Sequence, residues 1–235
     1  MLVNDHNIIP HLTHPIIQFA SQSQIKKETN SQEQNNQQLQ ESSSSISLIT
    51  SSINLLNKLI QNNNNKCKEV SNITNALHSL TALSIYKIGT HISQENDLQT
   101  LALRSGSRGC LFCIHECGDA SAQSELVNIN YTKVLVIAIS TASGQGEEQD
   151  DEIFYKLDRI SNFIRCLNQG NQYNPIYPPQ PLLARRSDEQ LEEEGGNEEI
   201  DSQQINEGRQ YRNVKYEAYE AKAAILNNFV NFQQV

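Results

Sequence analysis

Asp97–Cys117, DLQTLALRSGSRGCLFCIHEC, is the stretch whose reading decides the fold. Taken as extended chain it supplies two strands, DLQTLALRS at Asp97–Ser105 and CLFCIHEC at Cys110–Cys117. Turn chemistry at Gly106-Ser107-Arg108-Gly109 separates them. A third strand follows at Tyr131–Thr141 (YTKVLVIAIST), rich in Ile, Val and Leu and free of Pro and Gly. Past a Gly-containing acidic connection, Ile153, Leu157, Ile160, Ile164 and Leu167 recur at steps of four and three, which puts them on one stripe of a helix. Three strands and one amphipathic helix imply a sheet with a helical cover.

Upstream, Ile8, Ile9, Leu12, Ile16, Ile17 and Ala20 fit a short amphipathic helix. Pro10 is tolerable in its first turn, whereas Pro15 implies a kink or a later start. Ile46–Thr50 and Ile53–Ile60 read as a hairpin around Ser51-Ser52. Leu48, Ser52, Leu55, Leu56 and Leu59 also fit a helical period, but crowding by Ser and Thr in the first half favours the hairpin. After a polar loop at Asn62–Asn65, Val70–Ile88 carries Ile73, Leu77, Leu80, Leu83 or Ser84, and Ile88 on one helical stripe. Gly89 stands at its C-cap position. Beyond Asn168 the segment NQGNQYNPIYPPQP cannot continue a helix. Tyr211–Phe232 reads as a last, isolated helix, with Ala218, Ala221, Ala224 or Ile225, and Phe229 or Phe232 on one side.

Composition narrows the foldable part of the 235 residues. Gln22–Ser45, Gln61–Asn65 and the tail after Gln169 are too poor in apolar residues to offset ordering entropy. The expected organisation is one compact domain over residues 1–168 with a disordered insert at about 22–45, an acidic disordered linker over 169–210, and a helix over 211–232. The formal charge is −9, and Asp188–Asp201 holds eight acidic residues and no basic one, so the remainder sums to −1. A near-neutral body with an acidic tail lacks the concentrated Lys/Arg surface that nucleic acid requires. Five cysteines without a basic and apolar leader suggest a reducing compartment. Leu2 occupies the position where myristoylation needs glycine, and no C-terminal Cys is present for prenylation. The longest aliphatic run, Val134–Ile139, falls far short of the roughly 20 residues that span a bilayer. Direct membrane insertion is therefore not expected.

Few residue groups suggest chemistry. Cys110-x-x-Cys113-x-His115-x-Cys117 has the look of a metal site. On a straight strand, however, Cys113, His115 and Cys117 would span roughly 13 Å at ~3.3 Å per residue, too far to converge on one zinc ion. Cys110 would point to the other face, and buried free cysteines are the expected outcome. Gly144-Gln145-Gly146 matches neither the dinucleotide nor the Walker A pattern, and Glu147, Glu148, Asp150, Asp151 and Glu152 suit a helix N-terminus better than a phosphate. His6, His11 and His14 lack a further ligand, and Asn72-Ile-Thr and Asn130-Tyr-Thr are formal sequons only. No nucleophile elbow, HExxH or paired catalytic carboxylate is present, so neither a catalytic residue nor a bound metal or cofactor is expected.

In order, the elements read helix, strand, strand, helix, strand, strand, strand, helix. This pattern resembles the roadblock (dynein light chain) family, and most closely the roadblock subunits of the lysosomal Ragulator and vacuolar EGO complexes. The resemblance rests on MLVNDHNIIPHLTHPIIQFASQ, ISLITSSINLLNKLI, VSNITNALHSLTALSIYKI, DLQTLALRS, CLFCIHEC, TKVLVIAIS and EIFYKLDRISNFIRCL. It implies a profilin-like α+β fold, a five-stranded antiparallel sheet covered by helices. It also implies a non-catalytic scaffold that pairs with another roadblock protein. Such pairs hold Rag-type small GTPases, through a lipid-anchored membrane subunit, at the cytoplasmic face of the vacuole or lysosome in amino-acid signalling to the TOR kinase complex. The implied pairing surface comprises Leu77, Leu80, Ser84, Leu98, Thr100, Ala102 and Arg104, and an open strand edge is a template for such pairing. Two alternatives stand beside it: a longin-type trafficking adaptor, with Tyr211–Phe232 as its second helix, and a metal-binding or redox protein built on the Cys110–Cys117 cluster.

Overall fold

The computed structural model describes residues 8–28, 37–61, 63–140, 150–173, 175–206 and 213–232. Among them there is no sheet: the α+β, roadblock-like expectation is overturned by a chain of helices. In order these are α1 (Ile8–Glu28), α2 (Gln37–Ile60), α3 (Asn64–Ser71), α4 (Ala76–Ser84), α5 (Gln94–Cys117), α6 (Ala120–Asn128), α7 (Tyr131–Ser140), α8 (Asp150–Gln169), α9 (Pro181–Glu193), α10 (Gly196–Gln203) and α11 (Val214–Phe232). They form two compact units, divided between Gly118 and Asp119.

The first unit centres on α2 packed against α5, with α1, α3 and α4 around them. The expected hairpin at residues 46–60 is one uninterrupted helix. Its buried stripe is Ile46, Ile49, Ile53, Leu56 and Ile60, at steps of three and four. That stripe faces the core and shares only Leu56 with the row Leu48, Ser52, Leu55, Leu56 and Leu59; Leu48 and Leu55 are exposed. Ser51 and Ser52 do not turn the chain, because their hydroxyls donate back to the Ser47 and Leu48 carbonyls.

The two strands and turn expected over Asp97–Cys117 are likewise a single helix, α5. Ser93 caps it by accepting from the Asn96 N–H at 3.3 Å, and Glu95 and Asp97 lie in its first turn, where acidic side chains complement the dipole. Gly106 and Gly109 sit inside this helix at its contact with α2. A Cβ on Gly106 would lie 3.0 Å from Ile53 Cγ2, and one on Gly109 would lie 2.6 Å from Asn57 Nδ2. The glycines thus act as a contact surface rather than a bend. Val70–Ile88, expected as one helix, is broken into α3 and α4 at Asn72–Asn75, where Asn75 adopts φ 65°. Gly89 has left-handed φ but lies beyond the Ile85 cap of α4. Pro15 falls within α1, where Thr13 Oγ1 donates to the Ile9 carbonyl at 3.0 Å.

The second unit is built on α8 and α11, with α7, α9, α10 and α6. The expected stripe of α8 is present, with Ile153, Leu157, Ile160, Ile164 and Leu167 all buried. The expected strand at Tyr131–Thr141 is helix α7 over Tyr131–Ser140; Thr141 lies outside the described residues. Val134, Leu135, Val136, Ala138 and Ile139 are all buried, so α7 is a core helix covered on nearly every side. Tyr131 meets Phe163 of α8 edge-on at 5.2 Å between centroids. The acidic run Asp188–Asp201, read as linker, lies on α9 and α10. Leu191 and Ile200 are buried there, and Gly196 packs so closely that a Cβ would lie 2.7 Å from Leu191 Cγ. Of the insert expected at about 22–45, residues 22–28 and 37–45 are helical, and residues 29–36 lie outside the described residues.

Candidate functional site

Helix α5 gathers the chemistry-bearing side chains of the first unit. Arg104 and Arg108 lie one turn apart on its buried face. Arg104 Nη1 donates to the Tyr86 carbonyl at 3.2 Å, and Arg108 Nε donates to the Ser84 carbonyl at 3.0 Å. Ser84 ends α4, so these guanidiniums satisfy carbonyls at and just beyond a helix C-terminus and complement its dipole. This is an architectural use of charge.

One turn further on, α5 carries Cys110, Cys113 and Cys117. The argument that a straight strand keeps them apart does not apply, because spacings of three and four residues share one face of a helix. Cys67 on α3 joins them. Its Sγ donates to the Ile60 carbonyl at 3.3 Å and to the Cys113 carbonyl at 3.5 Å. Cys110 Sγ faces the Ile53 carbonyl at 3.5 Å, and Cys113 Sγ donates to Asn57 Oδ1 at 3.1 Å. Burial holds the Cys67 thiol well above its ordinary pKa, with the neighbouring Cys117 adding to the rise; burial does the same for Cys110. All five cysteines are free thiols. Among the described residues no three or more His, Cys, Asp or Glu side chains are arranged to hold a metal ion. His115, which belonged to the sequence cluster, is buried next to Phe112 and 3.6 Å from the Glu116 carboxylate.

The seven residues of the implied pairing surface are not brought together as an edge. Leu77, Leu80 and Ser84 are buried in α4, Thr100 and Arg104 are buried on α5, and Leu98 and Ala102 face outward from α5. His11 and His14 are exposed on α1, and His6 and Gly144–Gly146 lie outside the described residues. Cys67 was not singled out by the sequence, since nothing in its own neighbourhood links it to residues more than forty positions away.

The second unit offers a different feature. Helix α11 buries Val214, Ala218, Ala221 and Ile225, all small or aliphatic, against its neighbours. On its outer side Tyr216, Tyr219, Ala223 and Leu226 are exposed, at steps of three, four and three. The two tyrosines and the leucine are 56%, 52% and 52% exposed. This row therefore forms a second apolar seam. Lys215, Glu220 and Lys222 lie beside it.

Comparison of the chain with protein-family models, with curated proteins and with solved structures finds no match. Among the described residues no helix is long and apolar enough to cross a membrane.

Proposed function

We propose that this protein is a non-catalytic helical scaffold that pairs with a second copy of itself through the outer face of α11. The observation that carries this reading is the exposed row Tyr216, Tyr219, Ala223 and Leu226. Tyrosines exposed with their rings bare and their hydroxyls wet are the side chains that anchor protein interfaces. A row at steps of three and four is the seam by which one helix packs along another. The flanking charges favour a second copy laid parallel: Lys215 stands at the position that faces Glu220 of the other copy in a parallel pair, where it would join the carboxylate that Arg165 already holds at 3.1 Å. An antiparallel pair would set Lys215 against Lys222, itself paired with Asp201.

The scaffold role is carried over from the sequence reading as part of this proposal, without the partners expected there. A paired roadblock protein, Rag-type GTPases, a lipid-anchored subunit and a vacuolar or lysosomal address were all implied by the resemblance to the roadblock family, whose sheet is absent among the described residues. The longin alternative needed a sheet as well. With helices in place of that sheet, the pairing surface is relocated to α11.

Sedimentation of the full chain tests the proposal. A dimer is expected for the native protein, and a monomer for the Tyr216→Ser, Tyr219→Ser, Leu226→Ser triple variant with unchanged far-ultraviolet circular dichroism. A native monomer throughout the micromolar range, or a dimer that survives the three substitutions, would overturn it. Binding of a different protein to the same face by an otherwise monomeric chain would also overturn the choice of partner.

A further inference from the structure

We propose that Cys67 and Cys117 form a reversible disulfide on exposure to peroxide, making the contact between α3 and the end of α5 a thiol-modification site. Cys67 lies in the middle of α3 and is fully buried. Its sulfur is 3.5 Å from the Cys113 carbonyl oxygen, the group toward which the N–H of residue 117 points in an α-helix. The sulfur therefore sits against the turn that carries Cys117, whose thiol is its neighbour. The competing pairs are less well placed. The Cys113 thiol is engaged in donating to Asn57 Oδ1, and Cys110 is buried against the Ile53 carbonyl.

The two partners differ in access, which fixes the order of the steps. Cys117 is the partly exposed member and the last residue of α5, so peroxide reaches it first. Its thiolate sulfur attacks one peroxide oxygen, the O–O bond breaks, and the departing hydroxide takes up a proton as water. Cys117 is left as a sulfenic acid. The Cys67 sulfur then attacks the Cys117 sulfur; the S–S bond forms, the S–O bond breaks, and the departing hydroxide leaves as water with the proton from Cys67. Two thiols are oxidised and one peroxide is reduced to two waters. Cys67 is fully buried and out of reach of peroxide in solution, which leaves it the resolving partner once Cys117 beside it carries the sulfenic acid. An added dithiol such as dithiothreitol reverses the bond by exchange. The product ties α3 to the C-terminal turn of α5, immediately before the boundary between the two units.

The test treats the full chain with hydrogen peroxide, blocks remaining thiols by alkylation, and maps peptides with and without prior reduction. The expected result is a Cys67–Cys117 cross-linked peptide that disappears on reduction, is lost in Cys117→Ser, and is retained in Cys113→Ser and Cys166→Ser. In Cys67→Ala, a dimedone adduct should accumulate on Cys117, and the native chain should show little. Because Cys67 is buried and its replacement could unfold the unit, the partly exposed Cys117→Ser variant carries the test by itself. Over-oxidation of Cys117 with Cys67 still alkylatable after denaturation would overturn the proposal. So would a cross-link through Cys113 or one that persists in Cys117→Ser.

Discussion

At Gly106 two opposing effects meet in one methyl group. Alanine is the better helix former by about 1 kcal/mol, yet the added carbon would lie 3.0 Å from Cγ2 of Ile53, which is fully buried and has nowhere to go. Overpacking of that kind costs about 1–3 kcal/mol, so Gly106→Ala is expected to destabilise the chain by about 1 kcal/mol in denaturant titration. Gly109 differs because its obstacle is the amide end of half-buried Asn57, which can rotate away. Gly109→Ala should therefore change stability by less than about 0.5 kcal/mol, the helical gain offsetting the displaced amide. Glu217 gives a pH-dependent case. Burial raises its carboxyl above the ordinary value, Asp158 and Glu220 raise it further, and Arg165 opposes them. A carboxyl raised in the fold contributes stability below its unfolded pKa, and that contribution is lost as pH rises through the folded value. Glu217→Gln should accordingly be more stable than the native chain at neutral pH, by about 0.5 kcal/mol for a partly exposed contact. The advantage should vanish as pH falls below the unfolded carboxyl value, as thermal melts across pH would show.

At the scale of elements, α8 was legible from its periodicity. Helix α2 shows a one-sided stripe too but was obscured by its Ser and Thr residues, and α7, packed on nearly every side, has no stripe to read. Ile153–Leu167 shows one clean stripe and is α8 as read. Val134–Ile139 is apolar on every side, and such a run fits a buried strand and a buried helix equally; here packing decides for helix over the β preference of its Val and Ile residues. In α5 the two glycines were read as a turn, because the sequence does not reveal that Ile53 and Asn57 press against them. Yet Ser93 ahead of Glu95 and Asp97 was a helix-start signal already present in the residues. The thiol cluster was half visible: its α5 members share one face once the helix is recognised, while Cys67 arrives only through packing. Caps offer a direct check at this scale. Asp119 accepts from the Ser121 and Ala122 N–H groups at 3.1 and 3.2 Å at the start of α6. Asp119→Ala should cost about 1 kcal/mol, and Asp119→Asn much less, in the same titration.

For the whole molecule, each unit has its own core, and large side chains sit at the centre of both. Leu56 is fully buried between α2 and its neighbours, and Phe163 is fully buried under Tyr131. Leu56→Ala should cost about 2–5 kcal/mol and Phe163→Ala about 3–5 kcal/mol, the usual range for emptying such sites. The contrast with a sheet protein is sharpest along residues 46–60 and 97–117, where a hairpin and two strands have given way to two long helices in contact. Backbone carbon chemical shifts measured by NMR over those two segments test this most directly. Continuous helical shifts through Ser51-Ser52 and through Gly106–Gly109 are expected; extended shifts on either side of a turn at those positions would contradict the account.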